Sequence, residues 1–259
     1  YAGAVISGVA AHTAPATRAE VAAAACGDLF IGAGEILASP IGVVPSVGAR
    51  LARLTHAPGL LLSDGESTLF ADTPPVGEAF QEPEGYLPYS ALFDLIESGR
   101  RHVIMGAAQL DRHGNQNLSA IGDRDQPTRQ LVGARAAATN SANHPVSYWV
   151  ARHAPRVFVE RVDIVTGIGT DRSAGMPFHQ LRRVVTNLGV FDFGGPGGTM
   201  NVVSLHPGVT LDEAQAATGF PLSAPAVVPE TRTPTSDELR LIREVIDPHN
   251  LRKREVPHP

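Results

Sequence analysis

Two polar clusters in this sequence have residue types and spacing that chemistry could use. Ser63-Asp64-Gly65-Glu66 directly follows the apolar run 60–62, so two carboxylates, Asp64 and Glu66, stand at what reads as the end of a buried strand. In an open parallel sheet ligands gather outside the carboxyl ends of strands, which makes these acids candidates for nucleophilic or acid–base work. As a polar turn, the same Asp64 would cap backbone amides instead. Asp111-Arg112-His113-Gly114-Asn115-Gln116-Asn117 also follows a predicted strand. Asn115 and Asn117, with Gln109 just before them, gather three amides near one strand end. Each can both donate to and accept from a thioester or carboxylate. The glycine run 194–198 looks like a phosphate cradle, but it separates two apolar strands and opens no helix, so it reads as a hairpin turn.

Other chemistries lack their residues. There is no GxSxG elbow, no HExxH and no GxGxxG opening a helix. Cys26 is the only cysteine, which excludes an internal disulfide, a CxxC pair and a cysteine-held iron–sulfur cluster. Lys253 is the only lysine, so a GK[ST] phosphate loop is absent and no Schiff-base lysine lies in the body of the chain. The 10 histidines include no pair at metal-ligand spacing with an acidic neighbour, and no bound metal is expected. A net charge of −5 argues against a nucleic-acid surface or an anionic-membrane patch. No run of about 18 apolar residues is present to span a membrane, and a cytoplasmic location is expected.

The elements that must position these clusters follow from pattern. The 259 residues are 43% hydrophobic and 18% charged, enough for a sizeable core, while 26 glycines and 21 prolines keep the elements short. Residues 1–16 read as a floppy tail and 17–259 as one domain. Thr17 and Glu20 form a capping-box pattern that predicts a helix over 18–31. Helices are also expected over 47–54, 88–98, 211–218 and from 235 onward. Strands are expected at 36–38, 60–62, 102–105, 147–151, 156–160, 162–166, 184–193 and 200–205. Residues from about 207 to 250 form a helical extension that contains a proline-rich linker, 221–234. Strand and helix in alternation imply an α/β fold, a mostly parallel sheet covered by helices with antiparallel additions late in the chain.

At this point a family becomes visible. The segment DRHGNQN (111–117) resembles the D-R-Y-G-N-x-N segment of family I CoA-transferase beta subunits. SLHPGVTLDEAQAATGF (204–220) is similar to that family's LHPGVT…TGF tail, and RVFVERVDIVTGIG (156–169) to its R-F-V-E-x-V-D-x-x-T pair. The resemblance runs from about residue 18 to 248. It implies a three-layer α/β/α open sheet of the glutaconate CoA-transferase (NagB/RpiA-like) type. It also implies a homologous alpha subunit as partner, in an α2β2 heterotetramer, with the active site at their interface. Coenzyme A would enter as part of an acyl-CoA substrate, with no bound cofactor.

Two departures from the family pattern carry information. Transferases have a catalytic glutamate in a Ser-Glu-Asn-Gly motif where this chain has Ser63-Asp64-Gly65-Glu66; aspartate falls roughly 1.5 Å short, and displacements of about 1 Å can cost 10²-fold. The family's G-x-G-G-A loop is replaced by Gly133-Ala-Arg-Ala-Ala-Ala-Thr-Asn-Ser-Ala-Asn143, where Asn140, Asn143 and His144 are the polar groups that could replace it. These features are similar to the branch of the family that opens the last steroid ring by water-dependent retro-Claisen cleavage of a cyclic diketo acyl-CoA, with the catalytic glutamate on the alpha subunit. On this reading Gln109, Asn115, Asn117, Gly133, Asn140, Asn143 and His144 are expected to line the substrate site, with Asn115, Asn143 and His144 supplying donors to the developing oxyanion or orienting the attacking water. The alternatives are a CoA-transferase working through Asp64 or Glu66, and a non-catalytic scaffold subunit.

Overall fold

The structure is a computed structural model and describes residues 14–65, 67–134 and 136–257. Helix α1 (Arg18–Asp28) starts where the capping box predicts: the Thr17 hydroxyl accepts the Glu20 N–H, and the Glu20 carboxylate accepts the Thr17 N–H in return. In chain order there follow β1 (Leu37–Pro40), α2 (Val43–Leu54), β2 (Thr68–Phe70), β3 (Pro83–Tyr86), α3 (Tyr89–Ser98), β4 (Arg101–Met105), β5 (Gln109–Leu110) and β6 (Gln116–Asn117). Then come β7 (Ala120–Gly122), β8 (Pro127–Gln130), α4 (Ala137–Asn143), β9 (Pro145–Val150), β10 (Gln180–Thr186), β11 (Gly189–Asp192), β12 (Asn201–Leu205), α5 (Leu211–Ala216) and α6 (Ser236–Arg240).

The main sheet has six strands in the order β1-β4-β9-β10-β11-β12. The first four run parallel and the last two are antiparallel additions. Leu61 extends the sheet beyond β1 through a single parallel bridge to Leu37. The central strands β4 and β9 are buried on both faces, so alternate side chains enter two separate cores. Ile104, Trp149 and Val185 join the core beneath α1, α2 and the C-terminal helices. Val103, Tyr148 and Val184 join the one beneath α4, α5 and the loops. Three layers result, helix, sheet and helix.

Several expectations change. Residues 156–160 and 162–166 alternate like strands but lie along the 109–117 segment. Leu110 N–H donates to the Val157 carbonyl (2.7 Å), Val159 N–H to the Leu110 carbonyl (2.9 Å), and Thr166 N–H to the Gln116 carbonyl (2.8 Å). The stretch 184–193 is two strands, because the Thr186 hydroxyl accepts the Leu188 and Gly189 N–H groups and turns the chain. The glycine run 194–198 is the turn between β11 and β12, as expected. The linker 221–234 runs beside β12, bridged at Ser223 and Glu230. Residues 1–13 of the expected tail lie outside the described residues, while the Ala14 and Pro15 carbonyls accept from Arg243.

The α1–α2 contact yields a test. A Cβ at Gly48 would sit 2.6 Å from the Ala23 carbonyl oxygen, 2.7 Å from Cys26 Cβ and 2.8 Å from Gly27 N. Helix propensity alone favours alanine there by about 1 kcal/mol, but overpacking against backbone costs about 1–3 kcal/mol. Gly48→Ala is therefore expected to lower Tm, and a rise would show that the two helices separate freely.

Candidate active site

Asp64 is exposed, and its carboxylate closes a turn. Oδ1 accepts the N–H groups of Ser67 (2.9 Å) and Thr68 (3.1 Å), while the Asp64 N–H donates to the Thr68 carbonyl (3.1 Å). Gly65 at φ +86° completes the bend, a conformation that glycine adopts without steric cost. Glu66 lies outside the described residues.

The amides fall into three hydrogen-bonded groups, and no side-chain hydrogen bond joins one group to another among the described residues. Gln109 and Asn117 form the first. Asn117 Nδ2 donates to Gln109 Oε1 (2.7 Å) and to the Ala120 carbonyl (2.7 Å), while Gln109 Nε2 donates to Asp163 (3.0 Å). Asn115 forms the second: Nδ2 donates to Asp111 and Asp171, both at 2.9 Å, and Oδ1 accepts the Gly169 N–H at 2.8 Å. A carboxamide has two N–H bonds, so Asn115 and Asn117 spend both of theirs inside the chain. Neither has a donor left for a ligand in this conformation; they hold loops together.

The third group surrounds a buried arginine. Asn140 Oδ1 accepts from Arg101 Nη1 (2.9 Å) and faces His144 Nε2 (3.0 Å); Arg101 Nε donates to the Ser39 hydroxyl (2.8 Å). Burial lowers the His144 pKa to about 4 and the Arg101 pKa to about 10, with Arg101 itself acting further against a charged His144. His144 is therefore neutral at pH 7. Gly133, at φ +91°, is bonded through its N–H to the Leu118 carbonyl. Asn143 is half-buried at the end of α4, and its side chain makes no hydrogen bond among the described residues.

The carboxyl ends of β1, β4 and β9 border an open depression of about 430 Å³. This is where a parallel sheet is expected to hold a ligand. Ile41, Ala107 and Val150 contribute apolar surface, while Arg152, Arg156 and Arg254 bring positive charge. Glu255 also lines it, fixed at the amino end of α2: Oε1 accepts the Val43 N–H (2.8 Å), and Oε2 accepts the Val44 N–H (2.9 Å) and Trp149 Nε1–H (3.1 Å). Gly42, at φ +116°, leaves room for that carboxylate, since a Cβ there would lie 3.1 Å from Glu255 Oε1. The sequence reading missed this cluster. Tyr148 to Arg152 ends a strand at the right side of the sheet and could have drawn notice, but Glu255 lies 106 and 212 residues from Trp149 and Val43.

Comparison with known proteins fits this architecture. Residues 92–217 match the Coenzyme A transferase family. The Cholesterol ring-cleaving hydrolase IpdB subunit of Rhodococcus jostii RHA1 is 57% identical over 93% of this chain and 96% of its own length. The chain belongs to the coenzyme A transferase family. Within that family, the crystal structure of R. jostii RHA1 IpdAB superposes with a TM-score of 0.90 at 57% identity, covering 93% of this chain and 98% of the matched one. Glutaconate coenzyme A-transferase from Acidaminococcus fermentans shares the fold, with a TM-score of 0.78 at 21% identity over 94% of this chain and 98% of its own. Among the described residues no helix of this family member is long and apolar enough to cross a membrane.

Proposed function

We propose that the chain is the beta subunit of a heteromeric CoA-thioester hydrolase that opens a steroid-derived ring. A homologous alpha subunit completes the site in an α2β2 assembly and supplies the catalytic glutamate. The substrate is a cyclic diketo acyl-CoA, coenzyme A is part of that substrate, and the work is done in the cytoplasm. Water adds to a ring carbonyl, the adjacent C–C bond breaks, and its electron pair passes to the thioester enolate, which takes a proton. A new carboxylate and a new C–H bond result.

One observation carries the reading: the strand end where transferases hold their glutamate is closed by Asp64 as a backbone-capping turn. The 57% identity to a ring-cleaving hydrolase subunit along nearly the whole chain points the same way. In this scheme Gln109, Asn115 and Asn117 shape the loops, while Asn143 keeps an amide that a ligand could engage.

The test uses the complex co-expressed with its alpha subunit. Turnover of a cyclic diketo acyl-CoA is expected, with no acyl or CoA adduct on peptides spanning 60–70 by mass spectrometry. Asp64→Asn, which keeps an acceptor for the turn, should leave turnover within the same order of magnitude. A CoA thioester found on Asp64 or Glu66 would reassign the chain as a CoA-transferase subunit, full turnover in Asn143→Ala would leave it a scaffold that only completes the alpha subunit's site, and a complex that turns over no such substrate would overturn the reading.

A further inference from the structure

The depression over β1, β4 and β9 carries three arginines and one glutamate on its lining. Arg152 and Arg156 reach it from the loop after β9, and Arg254 from the C-terminal turn. None of the three makes an ion pair or a side-chain hydrogen bond among the described residues, although the same chain pairs Arg232 with both Asp28 and Glu238. Glu255, the only acid on the lining, gives both oxygens to Val43, Val44 and Trp149 Nε1. Its charge is thereby matched by the positive end of α2 rather than by the arginines. Three arginines on a partly apolar lining create a positive potential, and among the described residues none of them is ion-paired with Glu255 or another acid. Guanidinium forks fit the paired oxygens of phosphate and carboxylate, and about 430 Å³ lies within the range of small-molecule pockets.

We propose that Arg152, Arg156 and Arg254 bind an oxyanion of the substrate, a phosphate or a carboxylate, at this depression. The identity of the ligand as an acyl-CoA rests on the function proposed above; the anion site itself does not. The Glu255 clamp holds the C-terminal turn against α2 and so sets Arg254 beside the two arginines of the β9 loop.

The experiment uses the complex with its alpha subunit and two probes. Free CoA carries the phosphates without the acyl group; the pantetheine thioester of the diketo acid carries the acyl group without the nucleotide phosphates. Calorimetry and steady-state kinetics compare the parent with Arg152→Gln/Arg156→Gln and with Arg254→Gln. If the site holds phosphate, CoA binds the double variant roughly 10- to 100-fold more weakly, and KM for the full acyl-CoA rises more than kcat falls. If it holds a carboxylate, the loss appears with the pantetheine thioester and not with CoA. In either case the gap between parent and variant narrows as salt is raised. Parent-like affinity for both probes in a hydrolysing complex overturns the site and leaves the proposed function standing. A complex that hydrolyses nothing, yet loses CoA affinity in the double variant, overturns the function and keeps the site. Co-elution with the alpha subunit and Tm check folding. Should the glutamine variants fail to assemble, Arg152→Lys/Arg156→Lys makes the same comparison, with a smaller loss expected because the charge stays and the fork is gone.

Discussion

Replacing Glu20 with glutamine is expected to remove roughly 3–5 kcal/mol of stability, the cost of breaking a buried ion pair from one side. For a chain of this size that is a fall in Tm of roughly 6–20 °C. The Glu20 carboxylate has no exposure to solvent. Oε1 accepts from Arg243 Nε (2.8 Å) and Arg252 Nη2 (2.7 Å), and Oε2 from Arg243 Nη2 (2.9 Å) and the Thr17 N–H (2.8 Å). A carboxamide would turn an N–H2 group toward guanidinium donors and leave Arg252, itself buried, with Asp247 as its remaining counter-charge. Burial by itself would raise the Glu20 pKa, but hydrogen bonds from Arg243, the Thr17 N–H and Arg252 outweigh it and hold the pKa at about 2, against an ordinary 4.5. A lowered folded-state pKa contributes stability that is fully present above 4.5 and is lost as pH falls toward 2. The parent Tm should therefore decline through that window, while Glu20→Gln, with nothing to titrate there, declines less. Equal Tm values at pH 7 would refute the account.

Asn115→Ala is expected to act on the fold before it acts on chemistry. The substitution strips a donor from Asp111, a donor from Asp171 and an acceptor from the Gly169 N–H in one step. Asp111 is buried and keeps the His113 and Asn115 N–H groups, so it remains partly satisfied. Buried groups left short of a partner cost about 1–3 kcal/mol each, and a net loss of about 2–3 kcal/mol is expected. Below the melting transition, kcat should remain of the parent's order; a direct oxyanion donor would instead show a drop of 10²–10³. Asn115→Asp sharpens the test. It has the same shape but sets a third carboxylate against Asp111 and Asp171, so at neutral pH it should be less stable than the alanine variant and should recover as the pH is lowered. Alanine and aspartate variants of equal stability, with kcat collapsed in both, would return Asn115 to the reacting centre.

What could be read from the sequence was what is local. Thr17 with Glu20 and Thr235 with Glu238 announce helix starts because a capping box closes within four residues, and both boxes form. The runs 102–105 and 200–205 are strands, and each is rich in β-branched and apolar residues over the length of a strand (Val103, Ile104 and Met105; Met200, Val202, Val203 and Leu205). The segment 156–166 misled because alternation reports which side chains are buried and not what the backbone pairs with. The Val159 and Thr166 N–H groups go to Leu110 and Gln116, on the short β5–β6 pair, and not to the main sheet. The turn inside 184–193 was hidden because Thr186, a good strand residue, performs the capping with its hydroxyl. The amides were found, but their partners Asp163 and Asp171 lie 54 and 56 residues away, and without those partners the same residues read as free donors. The arginine depression exists only because three strands end side by side. No spacing rule links Arg152 to Arg254.

The proline-rich stretch beside β12 has a further consequence. An open sheet ends in a row of backbone groups that can template another chain's strand, the usual route to aggregation and domain swapping. Here that row is met by residues 221–234 through bridges at Ser223 and Glu230. Four of those residues, Pro221, Pro225, Pro229 and Pro234, have no N–H with which to extend a ladder. The stretch satisfies the outer edge without becoming a new one. What composition presents as a connector works as a stop, closing the β12 edge of the sheet to strand-on-strand polymerisation.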